Sequence, residues 1–270
     1  MPLAALAGGC SESVLVVVDP DPCADGGVVG CAQPGLLDDL IGYWRLDDGA
    51  DSATVRDWSG RGNNGTLVDL DPGTAWVPGR AAGGLAVEAA GFVNVVRSAS
   101  IDSITQQVTV AAWMYLEGTI VEFGTAVSRE IGNTVEQHYH ISLSAQDRPN
   151  VFVQTELGQV VRLTTTGDPV ARLTWVHVAA TYDGAFVRLY VDGQEIANHA
   201  LTGRFAADTT PFIIGGNGNG VPGAPTELFP GRADEIMLYR RALAAEEISL
   251  LHAGALFAAS TTPADSGARD

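Results

Sequence analysis

The sequence predicts an all-β protein, an antiparallel β-sandwich with one short helix near its C-terminus. Three observations point there. First, residues 173–197 read LTWVHVAATYDGAFVRLYVDGQEIA, two apolar runs and a short third divided by Asp183-Gly184 and Asp192-Gly193. Asp-Gly between such runs marks a hairpin, because glycine accepts positive φ without steric cost. Val187, Leu189 and Val191 alternate against Phe186, Arg188 and Tyr190, and Val176, Val178, Ala180 and Tyr182 against Trp175, His177, Ala179 and Thr181. That is a three-strand meander with one face in a core. Second, short apolar runs bounded by Gly and Asp turns recur along the chain, the pattern of a sandwich. Third, helical spacing of apolar residues is convincing only at 244–253.

The elements follow in order. The domain spans residues 36–254 and opens with a strand at 41–46. A polar, glycine-rich loop follows at 57–67, DWSGRGNNGTL. Strands are expected at 84–88, 93–96, 108–116, 118–125, 138–144, 150–155 and 158–165, then the meander, then 210–214 and 232–240. In the helix Leu243, Ile248 and Leu251 form an apolar stripe, and Glu246 and Glu247 favour the positive N-terminal end. Residues 255–270, rich in Ala, Ser, Thr, Pro and Asp, read as a disordered tail.

Composition excludes some classes of function. The formal net charge is −17 over 270 residues, and all 15 basic residues are arginine. Such a balance disfavours nucleic acid and anionic lipid as partners, and it leaves carboxylates for Ca²⁺ or simply for solubility. No run approaches the roughly eighteen apolar residues of a spanning helix.

The N-terminus has its own character. Residues 1–10, MPLAALAGGC, resemble the end of a bacterial lipoprotein signal peptide, in which the cysteine after small residues is lipidated. Cys10 is therefore the candidate lipid anchor, and an upstream start would supply the missing basic region. The alternative is a disordered N-terminus that contains a cysteine. Residues 11–35 have linker composition. Cys23 and Cys31 enclose a flexible seven-residue loop and would pair as a disulfide in an exported protein. Neither a second cysteine pair nor a nearby histidine completes a metal set with them.

IGYWRLDDG, DWSGRGNNGTL, VTVAAWMYLEG, the meander, PFIIGGNGNG and PGRADEIMLYRRALAAEEISLLHAG occur in the order seen in laminin-G-like jelly-roll domains. Over residues 36–254 the chain resembles that branch of the concanavalin A-like lectin/glucanase superfamily, in its pentraxin-like bacterial form. The resemblance implies two curved antiparallel sheets packed face to face. It also implies a binding or adhesion module on a secreted or cell-surface protein. Where the family carries a helix-capping serine this chain has Ala244, at a cost of about 1 kcal/mol.

The resemblance further implies a structural Ca²⁺ where the first loop meets the last strand, and the matching positions are Asp57, Asn64 and Asp234. Asp, Asn and turned-in carbonyls are suitable hard-oxygen ligands. The alternative is that Asp57 and Asn64 make Asx-turns and Asp234 caps a strand end.

Sugar binding would use exposed aromatics. Trp44, Trp113 and Trp175 fall in core strands, which leaves Trp58, Trp76 and Phe229 in loops as candidates. His138 and His140 share a strand face with Ser142, where they would line a sugar groove, bind a transition metal or simply face solvent. A glycosidase of this superfamily would alternate acidic residues along one strand. Here Glu117 and Glu122 lie near a turn, Glu156 stands apart, and Asp234 and Glu235 are adjacent and so expected on opposite faces. The expected function is a non-catalytic binding or adhesion module whose ligand is carbohydrate or, next, a cell-surface protein. The alternatives are a polysaccharide hydrolase and a purely structural surface protein.

Overall fold

A computed structural model describes residues 35–87, 91–130, 137–206, 210–217 and 227–256. Cys10, Cys23 and Cys31, with the leader and linker that hold them, lie outside the described residues, as does the tail from 257 onward.

Among the described residues two eight-stranded sheets form the sandwich, and every strand pairing is antiparallel. The first sheet runs β14 (Gln194–Ala200), β13 (Phe186–Val191), β12 (Trp175–Tyr182), β7 (Val108–Leu116), β16 (Gly231–Tyr239), β5 (Gly83–Ala86) and β4 (Trp76–Ala81). The opening strand β1 (Leu40–Trp44) pairs with the far half of β16, which joins the two ends of the domain. The second sheet runs β11 (Val160–Thr164), β10 (Pro149–Gln154), β9 (Gln137–Ser144), β8 (Phe123–Glu130), β15 (Phe212–Ile214), β6 (Phe92–Val95), β3 (Gly65–Val68) and β2 (Thr54–Val55).

Alternation decides what goes inside. Val176, Val178, Ala180 and Tyr182 of β12, with Val187 and Leu189 of β13, enter the layer between the sheets, as the meander pattern predicts. Tyr139, Ile141 and Leu143 of β9 meet them from the second sheet. The outer face of the first sheet is covered at one end by α2 (Ala245–His252). Leu243, Ile248 and Leu251 there pack on Tyr43, Ala111, Ala179, Tyr190, Met237 and Tyr239. The predicted stripe is thus the docking face of the helix.

The structure corrects several boundaries. The strand expected at 118–125 begins only at Phe123, because Glu117 N and Gly118 N both donate to Pro230 O and turn the chain aside. Trp76 opens an edge strand rather than sitting in a loop; Pro78 is tolerated there since an edge leaves one side of the backbone unpaired. The end of the 57–67 loop is strand β3, and a short helix α1 (Ala99–Asp102), capped by Ser98 Oγ, has no counterpart in the expected elements.

Candidate functional site

The segment after β11 is pinned at intervals. Thr165 N donates to Pro149 O, Val170 N to Asp147 O and Leu173 N to Leu116 O. Arg172 clamps Asp147 with two bonds, Nε to Oδ2 at 2.7 Å and Nη2 to Oδ1 at 2.9 Å, and donates Nη1 to Gly118 O. Arg148 donates to the carbonyls of Thr165 and Gly167. These bonds hold the segment open beside the start of β12 and the end of β13.

The result is a cleft of about 370 Å³, within the range of small-molecule sites. Trp175, Val170, Val191 and Ile196 supply much of its apolar lining, and Thr165, Asp168 and Asp192 its polar groups. Trp175 is half-buried and tilts against Tyr115, with ring centroids 5.3 Å apart. Thr165 is 6% exposed, yet its hydroxyl has no hydrogen-bond partner among the described residues. A buried hydroxyl without a partner is costly unless something else satisfies it. Asp192 Oδ1 accepts from His177 N at 2.9 Å, which fixes the turn, and Asp168 is exposed. By sequence alone Trp175 falls in a core strand. Alternation already set it opposite Val176, and at the first position of β12 it lies beyond the cover of α2, a signal that could have marked it.

The expected site residues fall elsewhere. Phe229 is 0% exposed and belongs to the core between the sheets, so it is not a loop aromatic open to a ligand. Trp76 packs on the same core and donates Nε1 to Ser52 O at 2.9 Å. Trp58 is 43% exposed, with the Arg56 guanidinium 4.1 Å and that of Arg45 5.1 Å from its ring centroid. His138 and His140 do share a face with Ser142, but each is only 2% exposed. His140 stacks on Phe152 at 5.1 Å, and His138 meets the edge of Phe205 at 5.6 Å. Both are buried packing residues, and neither lies on an open groove or a solvated surface.

The residues named for calcium do not form a ligand set. Asp57 Oδ1 accepts from Tyr43 N and Ser59 N, and Oδ2 from Ser59 Oγ and Asn63 N. Asn64 Oδ1 accepts from Asp57 N. Asp234 is engaged separately: Oδ2 takes Arg80 N and Ala81 N, and Oδ1 takes Glu235 N. Each carboxylate is thus occupied by donors that a cation would repel. Among the described residues no group of three or more His, Cys, Asp and Glu is arranged to hold a metal. The residue that organises the first loop is Asn63. Its Nδ2 donates to Ile41 O and Ser100 Oγ, its Oδ1 accepts from Ser98 Oγ, and its carbonyl takes Trp44 Nε1.

Asp234 and Glu235 do not point to opposite faces. A bulge in β16 puts Glu235 at φ +50, and its carboxylate meets the hydroxyl of Tyr43, which packs on the outer face of the sheet. Burial, reinforced by repulsion from Asp234, raises Glu235 to about 9, and burial raises Asp234 to about 7. Burial, then the neighbouring Glu235, raises Tyr43 as well.

Against known proteins, the family model described as the concanavalin A-like lectin/glucanases superfamily matches residues 89–249. No curated protein matches the chain in sequence. Among solved structures, the binding domain of Paraclostridial mosquitocidal protein 1 is similar at TM-score 0.60 and 18% identity, over 80% of this chain and 52% of that one. Domain 4 of AbnA, an extracellular arabinanase from Geobacillus stearothermophilus in complex with arabinotriose, is similar at TM-score 0.60 and 19% identity, over 79% of this chain and 98% of that one. The ligand-binding domain of botulinum neurotoxin serotype D, in complex with N-acetylneuraminic acid, is similar at TM-score 0.55 and 13% identity, over 81% of this chain and 51% of that one. The chain spans about half the length of the two toxin domains. At these identities the likeness is one of fold.

Proposed function

Because the chain belongs to the concanavalin A-like lectin/glucanases superfamily, we propose that it is a non-catalytic carbohydrate-binding module of a secreted or cell-surface protein, with the cleft beside Trp175 as its sugar site. The observation that carries this reading is the partnerless hydroxyl of Thr165 in a cleft that also holds an indole. A pyranose offers hydroxyls to the one and CH groups to the other. Similar folds in the arabinanase domain, in complex with arabinotriose, and in the botulinum neurotoxin domain, in complex with N-acetylneuraminic acid, support the ligand class. Cys10 fits the same reading as a lipid anchor at the cell envelope.

Absence of catalysis rests on where the carboxylates lie. A glycosidase needs one acid kept protonated by a dry setting and a second facing the same bond. Asp168 and Asp192 line the cleft but are both exposed. Asp234 and Glu235 are dry but are bound to backbone N–H groups and to Tyr43.

A glycan array combined with a reducing-sugar assay on the bound glycans tests the reading. Binding without turnover is expected, and Trp175→Ala should weaken it by about tenfold or more, as loss of an aromatic anchor does. Turnover, or binding indifferent to Trp175→Ala in a protein that still melts cooperatively, would overturn it.

A further inference from the structure

The charges around the cleft go beyond the sugar class. Among the described residues, the only ionisable side chains that line it are Asp168 and Asp192. Asp168 makes no hydrogen bond or ion pair among the described residues, and the Asp192 side chain is 53% exposed with only Oδ1 engaged, by His177 N and, at 3.9 Å, by His252 Nε2. The nearest arginines by sequence do not line the wall. Arg172 is neutralised by Asp147, and Arg148 is held on the carbonyls of Thr165 and Gly167. The whole chain adds a formal charge of −17.

From this arrangement, and resting on the carbohydrate reading above, we infer that the cleft selects glycans bearing protonated amino groups over their neutral counterparts and rejects glycans bearing carboxylates. A sugar that stacks near Trp175 and reaches Thr165 Oγ1 would present its ring substituents to two open carboxylates. An ammonium is attracted there and a uronate or sialate is repelled; no cationic side chain lines the wall, and the Arg148 guanidinium stands behind the carbonyls of Thr165 and Gly167. Amine-bearing peptides share the charge but not the ring that the indole and the buried hydroxyl fit, which favours the sugar.

The test uses soluble oligosaccharides of one linkage that differ in one substituent. β-1,4-glucosamine oligomers, cello-oligosaccharides and β-1,4-glucuronate oligomers are titrated calorimetrically into the full chain, with oligolysine as the peptide arm. The glucosamine oligomer should bind most tightly, the cello-oligosaccharide more weakly and the uronate not measurably. Asp168→Asn and Asp192→Asn should each lower glucosamine-oligomer affinity by roughly fivefold more than they lower cello-oligosaccharide affinity, the equivalent of about 1 kcal/mol for an exposed ion pair. Raising the salt should erase the same difference. Equal affinity for amine and neutral oligomers would overturn the selectivity while leaving the sugar site intact, as would tight uronate binding. Oligolysine bound as tightly as the glucosamine oligomer, in a Trp175-independent manner, would overturn the sugar itself. No binding by any saccharide would overturn the carbohydrate reading, a different failure from lost selectivity.

Discussion

Glu235 is the residue whose environment departs furthest from what a strand position suggests. It is 1% exposed, one carboxyl oxygen has no partner among the described residues, and its backbone sits in the left-handed region. Its ordinary value of 4.5 rises to about 9, so the proton is held more tightly in the folded state than in the unfolded one. The stability tied to that proton is complete below about pH 4.5 and is lost as the pH rises toward 9. Asp234, rising from 3.8 to about 7, acts in the same direction and completes its loss earlier. The melting temperature of the wild type should therefore fall between pH 5 and 9 more steeply than that of Glu235→Gln, which carries no ionisable proton there. Parallel curves for the two proteins would show that Glu235 is not protonated in the fold.

Asp57 shows how a residue of metal-binding type can be taken up by the protein's own donors. Its carboxylate joins β1 to the first loop through the N–H groups of Tyr43, Ser59 and Asn63. Asp57→Ala strands buried donors and should cost about 3 kcal/mol. Denaturation with and without EDTA distinguishes the roles: the loss should be the same in both, whereas a calcium ligand would show its loss only with calcium present.

Helix α2 is the element on which the outer face of the first sheet depends. Its N-cap is Ala244, and Glu247 reaches back to accept Ala244 N at 2.8 Å, which leaves the helix with half of a capping box. Ala244→Ser adds the missing acceptor and should stabilise the protein by about 1 kcal/mol in urea unfolding. β16 has the opposite character: it is continuous in sequence but broken in register between Asp234 and Met237. One half pairs β5 and the other β1, and this division lets the first strand close against the last. A bulge leaves no mark on hydrophobic alternation when, as in ADEIMLY, acidic residues interrupt the pattern.

Across the whole molecule, the layered architecture was legible because burial acts on period-2 patterns. The meander and the apolar stripe of α2 both appear where the sequence places them. Chain position was a poorer guide to exposure. Phe229 was assigned to a loop and is core, and the His138 strand was given an open face and is packed. In each case the neighbours that exclude water, such as Phe152 against His140, come from other strands.

Local residue chemistry was sufficient to specify which segments become strands, where Asp-Gly turns reverse the chain, and which faces avoid water, because these depend on neighbours within a few positions. The cleft beside Trp175 is another matter. Its walls come from β10, the segment after β11, β12, the end of β13, and β14, and they meet only when both sheets are in place. The same is true of the Tyr43–Glu235 contact, between residues 192 positions apart. Whether a carboxylate is a ligand, a cap or a buried acid is set by the donors and the dryness around it, and tertiary packing alone supplies both.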